Sequence, residues 1–395
     1  MTHESLRREL GLAGAIVTGL GSILGTGAFV AIGLASEMWG DAVLWAIPLA
    51  AVVAMFNGLS SAFLAGTFPV AGGTYEYGYR TIGPWLGFSS GWLFLLAKTA
   101  SAATAALGIT RYLGIDGPIG PIAAVAIVTT LVITGLRRTA AVNAVLVMVT
   151  ISAILWFAWR GLSDGLGVIV FGDSPEPSHG IIAATAFLFV AYTGYGRIAT
   201  LGEEVRDPSK VIPRAVVVTL LIAASLYMTV ELGGRALGGE RWGGLLDLGE
   251  TLDISFFRFG AITAMFGVLL NLILGLSRVW LAMGRRHDMP ARLARLDHRS
   301  EPTVAVLLTG VLVAGVTLVG DIGTAWSFSA MTVLLYYAAT NVSALALDRR
   351  RFTAWLGLGS CVFLSFFVPL TVWLAGVVLV GLGWLWKMGF ARAAK

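Results

Sequence analysis

Two glycine clusters mark places where the chain could bind a charged ligand, because each interrupts a long apolar run. The first is GLGSILGTGAF at residues 19–29, and the second is AYTGYGRIATLGEE at residues 191–204. Each glycine weakens a helix by about 1 kcal/mol relative to alanine, and a broken helix in lipid frees backbone groups that need other partners. The GxxxG spacing of Gly21 and Gly25 fits close helix packing, whereas the presence of two clusters favours a binding site.

The freed backbone groups indicate which ligand would fit. A half-helix that starts near Thr26 and Gly27 presents N–H groups and the positive end of its dipole, which suit a carboxylate. Carbonyl groups freed before this point and in the second cluster accept hydrogen bonds from an ammonium. A zwitterionic α-amino acid satisfies both requirements. A dinucleotide site is excluded, because these glycines do not form GxGxxG and no strand precedes them.

Several charged residues near the clusters have two readings. Lys98 lies midway along an apolar run, where a charge costs about 2.5 to 3.5 kcal/mol on insertion scales, so either a functional role or a lysine that caps free carbonyls explains it. Arg197 could line a cytoplasmic exit or anchor its helix, and Glu203 and Glu204 could form a gate or a solvated helix end. Arg278 is expected to reach the cytoplasmic headgroups.

The elements that carry these residues are predicted to be membrane-spanning helices. Of the 395 residues, 57% are hydrophobic and 12% are charged, which excludes a water-soluble domain. One membrane domain over residues 1–395 with twelve spans is predicted, although the last two form one apolar stretch broken chiefly at Pro369 and could be one long helix or a re-entrant hairpin. The predicted spans are 10–35, 42–67, 82–112, 118–136, 139–159, 180–202, 211–230, 255–284, 303–320, 322–347, 352–368 and 370–386.

Basic residues predict the orientation of the chain. Nineteen lysines and arginines fall on the side that holds both termini and five on the other, which predicts cytoplasmic termini in an integral plasma (inner) membrane protein. The first apolar run is too long for a signal peptide core, so we expect no cleaved signal peptide. The basic pI of about 9.5 reflects this topology, and no nucleic-acid partner is needed to explain it.

Enzymatic function is disfavoured by what the spans contain. The single cysteine, Cys361, permits no intrachain disulfide or cysteine metal cluster, and the four histidines lie in polar connections. No Asp or Glu lies in a predicted helix core, so no acid–base set is available there. We therefore expect no metal or cofactor and no catalysis. A channel would need a filter segment or rows of like charges, and the sequence shows neither.

The positions of the two clusters indicate an internal repeat. They fall in the first and sixth spans, which correspond if residues 10–159 and 180–347 are two five-helix repeats of opposite topology, followed by two further helices at 352–386. Inverted repeats with broken helices are typical of secondary transporters.

Four motifs, in order, resemble the amino acid/polyamine/organocation (APC) transporter superfamily. They are GTGAF in the first span, FPVAGGTYEYGYRTIGPWLGFSSGW at 68–92, GEEVRDPSKVIPRA at 202–215 and SRVWLAMGRRHDMPARLARL at 277–296. The resemblance implies an all-α, five-plus-five inverted-repeat (LeuT-type) fold with discontinuous first and sixth helices. It also implies alternating-access transport of amino acids or amines.

The resemblance further implies which residues bind the substrate. The carboxylate would meet Thr26 and the backbone around Gly25 and Gly27, and the amino group would meet carbonyls near the second break. Gly194 would mark that break. The remaining implied contacts are the carbonyls of Ile23, Val190 and Thr193. From the sequence itself, Tyr192 could also face the cavity, although an aromatic residue in a helix bundle is usually a packing residue.

The chain departs from the family in its fifth span. Several sodium-independent relatives carry a lysine there, whereas this chain has Val149 and Thr150 at the matching place. Lys98 is predicted to replace it, either as a fixed cation or as a group that loses its proton. The resulting prediction is transport of a neutral amino acid, with proton coupling or exchange. A polyamine or cationic amino acid carrier of the same fold, a channel and a structural membrane subunit remain as alternatives.

Overall fold

A computed structural model describes residues 10–68, 72–135, 140–164, 177–200, 205–238, 255–297 and 301–393. These residues are almost entirely helical and form no strand. Fifteen α-helices are described: α1 (Leu12–Ile23), α2 (Ile32–Trp39), α3 (Ala42–Thr67), α4 (Gly73–Thr81), α5 (Pro84–Leu113), α6 (Ile119–Ile133), α7 (Ala140–Asp164), α8 (Pro177–Tyr192), α9 (Gly196–Ala199), α10 (Pro208–Gly238), α11 (Ser255–Arg285), α12 (Thr303–Val319), α13 (Ile322–Leu347), α14 (Phe352–Ser365) and α15 (Leu370–Ala393).

The helices coincide with the predicted spans to within a few residues at most boundaries. Within the described ranges, eight are long and apolar enough to cross a membrane, and the bent pair of α1 and α2 makes a ninth span. Three shorter apolar helices, α6, α12 and α14, occupy the remaining predicted positions. The chain is therefore a polytopic helical membrane protein.

The surface of the helix assembly is apolar, as expected for contact with lipid. Large side chains such as Trp45, Met148 and Val319 are 67%, 68% and 90% exposed. In a water-soluble protein such a surface would be an interaction or aggregation site, whereas hydrocarbon solvates it well. The interior instead contains many alanines, which let helices approach closely, together with aromatic and branched aliphatic side chains.

Two helices organise the interior around the first span. α5 is buried along most of its length and packs against α11 and α13. α10 packs against α3 and α7, and also contacts α1. Asn57 of α3 accepts a hydrogen bond from Asn341 of α13 at 2.6 Å, which joins two helices deep in the apolar core. The first span is thus surrounded by long helices that hold its halves in place.

The seventh span extends further than predicted. Hydropathy predicts that this span ends at residue 230, whereas α10 continues to Gly238. The extension includes Glu231, whose side chain is fully buried. Glu231 accepts hydrogen bonds from Ser36 at 2.5 Å and from Arg235 at 2.7 Å, and Arg235 also pairs with Asp41. The expectation that no carboxylate lies in a helix core is therefore wrong. A hydropathy scale counts Glu231 and Arg235 as two separate charges, whereas in the structure they neutralise each other as an ion pair.

We predict that Arg235→Ala destabilises the protein by about 3 to 5 kcal/mol, because it leaves the buried Glu231 without its cation. Thermal unfolding in detergent should show a clearly lower midpoint. The double variant Glu231→Leu with Arg235→Leu should recover much of the loss, since no buried charge is stranded in that pair. Arg111→Ala, at an exposed helix end, is the control. An Arg235→Ala midpoint equal to that of the control would contradict this account.

Candidate functional site

The first span is broken where the first glycine cluster was predicted to break it. α1 ends at Ile23, Leu24 has an extended backbone, and a π turn at Gly27–Ala31 leads into α2. The two halves are bent by 43°. The first backbone N–H groups of the second half have no preceding helical turn whose carbonyls could accept their hydrogen bonds. This point can therefore bind a ligand anion.

The sixth span is interrupted more gently. α8 ends at Tyr192, and a 3-10 turn at Thr193–Tyr195 joins it to α9. Within the described residues this span has no bend as sharp as that of the first. The 3-10 turn keeps short-range backbone hydrogen bonds, so fewer groups are freed than in a fully unwound segment.

The two breaks touch each other at a glycine. A Cβ atom on Gly194 would collide with the backbone carbonyl of Ser22, at the end of α1. Only a residue without a side chain permits this approach. A Cβ atom on Gly27 would likewise collide with Ala191 and with the hydroxyl of Tyr227. The glycines of both clusters therefore serve close contact between the breaks as well as flexibility.

Tyr227 of α10 links the carbonyl groups of both breaks. Its hydroxyl lies 3.0 Å from the carbonyl oxygen of Ile23 and 2.8 Å from that of Ala191. Tyr337 of α13 donates to the carbonyl of Thr193 at 3.2 Å, and the Thr193 hydroxyl donates to the carbonyl of Val190 at 2.8 Å. Each of the three carbonyls predicted to meet a substrate amino group thus has a protein donor, and that of Thr193 also accepts from the backbone N–H of Gly196.

Lys98 of α5 reaches the second break. Its ammonium donates to the hydroxyl of Thr193 at 2.9 Å, and the residue is only 9% exposed. Within the described part of the chain no carboxylate pairs with it. An ammonium has three donors, so two remain available beside the break. The side chain therefore places an uncompensated positive charge next to the 3-10 turn.

A cavity of about 1330 Å³ extends from the two breaks to α4 and the end of α11. It is much larger than an amino acid, so it includes a vestibule as well as a binding site. Thr26 lines its deep end with a buried hydroxyl that has no hydrogen-bond partner in the described residues. Because this hydroxyl lies at the cavity wall, it is available to hydrogen-bond a ligand.

Eight of the predicted site residues line this cavity: Ile23, Thr26, Gly27, Lys98, Val190, Thr193, Gly194 and Arg197. Two others lie elsewhere. Tyr192 is fully buried and donates to the carbonyl of Ile47 at 3.0 Å, so it joins α8 to α3. Gly25 faces the side chain of Val268 on α11. The predicted gate residues Glu203 and Glu204 lie outside the described residues.

Tyr227 was not predicted as part of the site. A tyrosine in an apolar helix has no distinguishing pattern, and only the tertiary contact with both breaks reveals its role. Asn271 and Arg278 of α11 also line the cavity. The sequence predicts contact between Arg278 and the lipid headgroups, but it does not reveal that this residue lines the cavity.

The wide end of the cavity is bordered by a short helix and its ionic contacts. Glu76 of α4 accepts from Arg80 at 2.8 Å and from Arg286 at 2.6 Å. Burial alone would raise the pKa of Glu76, but the hydrogen bonds from these two arginines hold it below its usual value. Nearby, Asp288 accepts from Tyr75 at 2.8 Å and from Lys387 of α15 at 2.7 Å. α4 is thereby fastened to the ends of α11 and α15.

Comparisons with known proteins agree with this arrangement. A family model described as amino acid permease matches residues 14–385. The chain belongs to the amino acid permease family. This confirms the APC superfamily membership that the four motifs indicated, and the protein is a transporter family member in which broken helices face a central cavity.

Alignments with individual relatives cover most of this permease. An uncharacterized transporter of Mycobacterium tuberculosis is 38% identical over 400 residues, which cover 96% of this chain and 90% of that protein. The branched-chain amino acid permease BcaP of Bacillus subtilis is 26% identical, over 79% of this chain and 75% of its own. The vacuolar cationic amino acid transporter 4 of Arabidopsis thaliana is 25% identical, over 87% of this chain and 64% of its own.

We predict that Gly27→Val reduces amino acid transport at least about tenfold, because its branched side chain must push Ala191 and Tyr227 away from the break. Uptake into proteoliposomes measures this. The matched control is Gly315→Val, since a side chain at Gly315 would meet no neighbour in the described structure. Equal uptake by the two variants would contradict the site assignment.

Proposed function

We propose that this permease is a secondary active transporter that carries a neutral amino acid across the plasma membrane by alternating access. The observation that supports this most directly is that the cavity ends where the two helix breaks touch each other. Interrupted helices at the depth of the membrane provide the backbone groups that recognise a zwitterion.

The two poles of the substrate fit different walls of the cavity. The carboxylate binds at Thr26 and the adjoining N–H groups of the π turn, where the hydroxyl of Thr26 has no partner among the described residues. The amino group binds at the carbonyl oxygens of Ile23, Val190 and Thr193, beside the protein donors that already reach them. Tyr227 holds the carbonyl of Ile23 in place, Tyr337 that of Thr193, and the hydroxyl of Thr193 that of Val190.

The charge of the cavity selects the substrate side chain. Lys98 contributes a positive charge beside the second break, and Glu76, the acidic residue that lines the described cavity, already pairs with Arg80 and Arg286. A cationic side chain would find no free carboxylate there. The relatives' names include both a branched-chain and a cationic amino acid carrier. The cavity favours the first of these, a neutral substrate.

The proposed architecture has twelve spans, with both termini in the cytoplasm. The helices at 10–159 and 180–347 form two inverted repeats, and α14 and α15 are additional. In this orientation the wide end of the cavity, with Arg278, Arg285 and Arg286, faces the cytoplasm. The structure then corresponds to an inward-facing state, and transport requires closure of this end and opening of the other.

Lys98 couples the site to the transport cycle. Its hydrogen bond to Thr193 joins α5 to the break in the sixth span. In the proposed cycle these two elements move relative to each other during alternating access. It takes the place of the lysine that other family members carry in the fifth span. The role is that of a fixed cation or of a group that releases its proton when the break moves.

We predict that neutral amino acids such as alanine and leucine inhibit uptake of a labelled neutral amino acid at lower concentrations than arginine or putrescine do. The physical reason is the unpaired positive charge of Lys98 in the site. Competition in proteoliposomes, with half-inhibition concentrations for all four compounds, measures the order. If arginine or putrescine inhibits best, the protein is instead a cationic amino acid or polyamine carrier.

We predict that Lys98→Ala lowers transport at least about tenfold, because it removes the cation that donates to Thr193 beside the second break. Lys98→Arg keeps the charge but cannot usefully titrate. A fixed cation predicts that the arginine variant retains substantial uptake. Proton coupling predicts that both variants lose pH-driven accumulation. Wild-type uptake and pH dependence in Lys98→Ala would refute both roles.

A further inference from the structure

One wall of the cavity carries a row of polar side chains that the proposed central site does not use. Asn271, Arg278 and Arg285 all line the cavity and are separated by seven residues along α11. Residues with this spacing project from one face of a helix, and their Cα atoms are about 10 Å apart along its axis. The row therefore runs along the cavity toward its wide end.

The depth of this row is fixed by a contact with the first break. Val268 of α11 fills the space in which a side chain at Gly25 would lie. Asn271 follows Val268 by one turn, so it lies near the break. Arg278 is about 15 Å from Val268 along the helix axis, at 1.5 Å per residue. It thus lies between the breaks and the wide end, where Arg286 binds Glu76.

The guanidinium of Arg278 lacks a counter-charge in the described structure. No described carboxylate pairs with Arg278, and Glu76 is occupied by Arg80 and Arg286. An arginine within a membrane-spanning helix that faces a cavity is rarely neutral to function, because its charge requires water or an anionic partner. Its planar donors fit a carboxylate in a bidentate geometry.

We propose that Arg278 forms a second carboxylate-binding site, in the vestibule, which holds the transported amino acid between the central site and the cytoplasm. Asn271 lies on the central side of this site and Arg285 on the outer side, so the carboxylate moves along one helix face. The proposal rests on the proposed function for the identity of its ligand. The anion-binding property of the site can be tested separately from transport.

Gly275 offers a probe of the site. It lines the cavity three residues before Arg278, and a Cβ atom at this position would meet nothing within 4 Å. A cysteine there projects from the same helix face as Arg278 without displacing any neighbour. The native Cys361 is buried, so it reacts slowly with water-soluble thiol reagents.

The experiment compares two methanethiosulfonate reagents on the full-length Gly275→Cys protein, one with a sulfonate and one with a trimethylammonium group. The rate at which each reagent modifies the cysteine is divided by its rate with a small free thiol in solution. Adding Arg278→Gln should lower the ratio of sulfonate to ammonium rates about five- to tenfold, because a unit charge about 7 Å away in water changes each rate about threefold in opposite directions. Arg278→Lys should preserve most of the ratio, and Arg111→Gln all of it.

A second arm identifies the ligand. A transported neutral amino acid should slow the modification of Gly275→Cys, and its decarboxylated amine should not. Arg278→Gln should abolish this protection. An unchanged reagent ratio in Arg278→Gln would overturn the proposed site even if the protein transports amino acids. A ratio that depends on Arg278, in a protein that neither transports nor is protected by any amino acid, would keep the anion site but reject the amino acid as its ligand.

Discussion

An interrupted helix in a membrane must find other hydrogen-bond partners for the backbone groups that the interruption frees, and in this permease two interruptions meet this requirement together. Tyr227 reaches a carbonyl group of each break, and Gly194 lets the breaks approach to contact. Lipid offers no hydrogen bonds, so this arrangement is what makes broken helices tolerable in the first and sixth spans. The cavity ends at this contact, and both Thr26 and Lys98 line it there.

The charges in this protein are divided between structural and cavity-facing roles. Glu231 and Arg235 neutralise each other and bind α10 to α2 and α3. Lys98 and Arg278, in contrast, face the cavity and have no carboxylate partner in the described residues. Buried ion pairs of the first kind fix the packing of helices, whereas unpaired cations of the second kind require a ligand or water. In the proposed transport cycle, the carboxylate of the amino acid pairs with Arg278 in the vestibule and leaves it on release.

Much of the fold was predictable from hydropathy, since long apolar runs in lipid can only be helices. The break in the first span was predictable because GLGSILGTGAF cannot form a strong helix. The extent of α10 was not, because a per-residue scale treats Glu231 and Arg235 as two separate charges. Tyr227 and Tyr192 show the limit for the site. Both are tyrosines near the breaks, and only the tertiary contacts reveal that Tyr227 joins the breaks while Tyr192 binds Ile47.

The central claim is that this cavity carries amino acids, and counterflow tests it most directly because it requires no ion gradient. Liposomes that contain the purified protein are loaded with unlabelled leucine and diluted into a trace of labelled leucine. A carrier predicts that label accumulates transiently above the level in liposomes without preloaded leucine, since inward and outward sites exchange one substrate for another. Equilibration without accumulation would indicate a channel, and no uptake of leucine, alanine or other neutral amino acids would contradict the account.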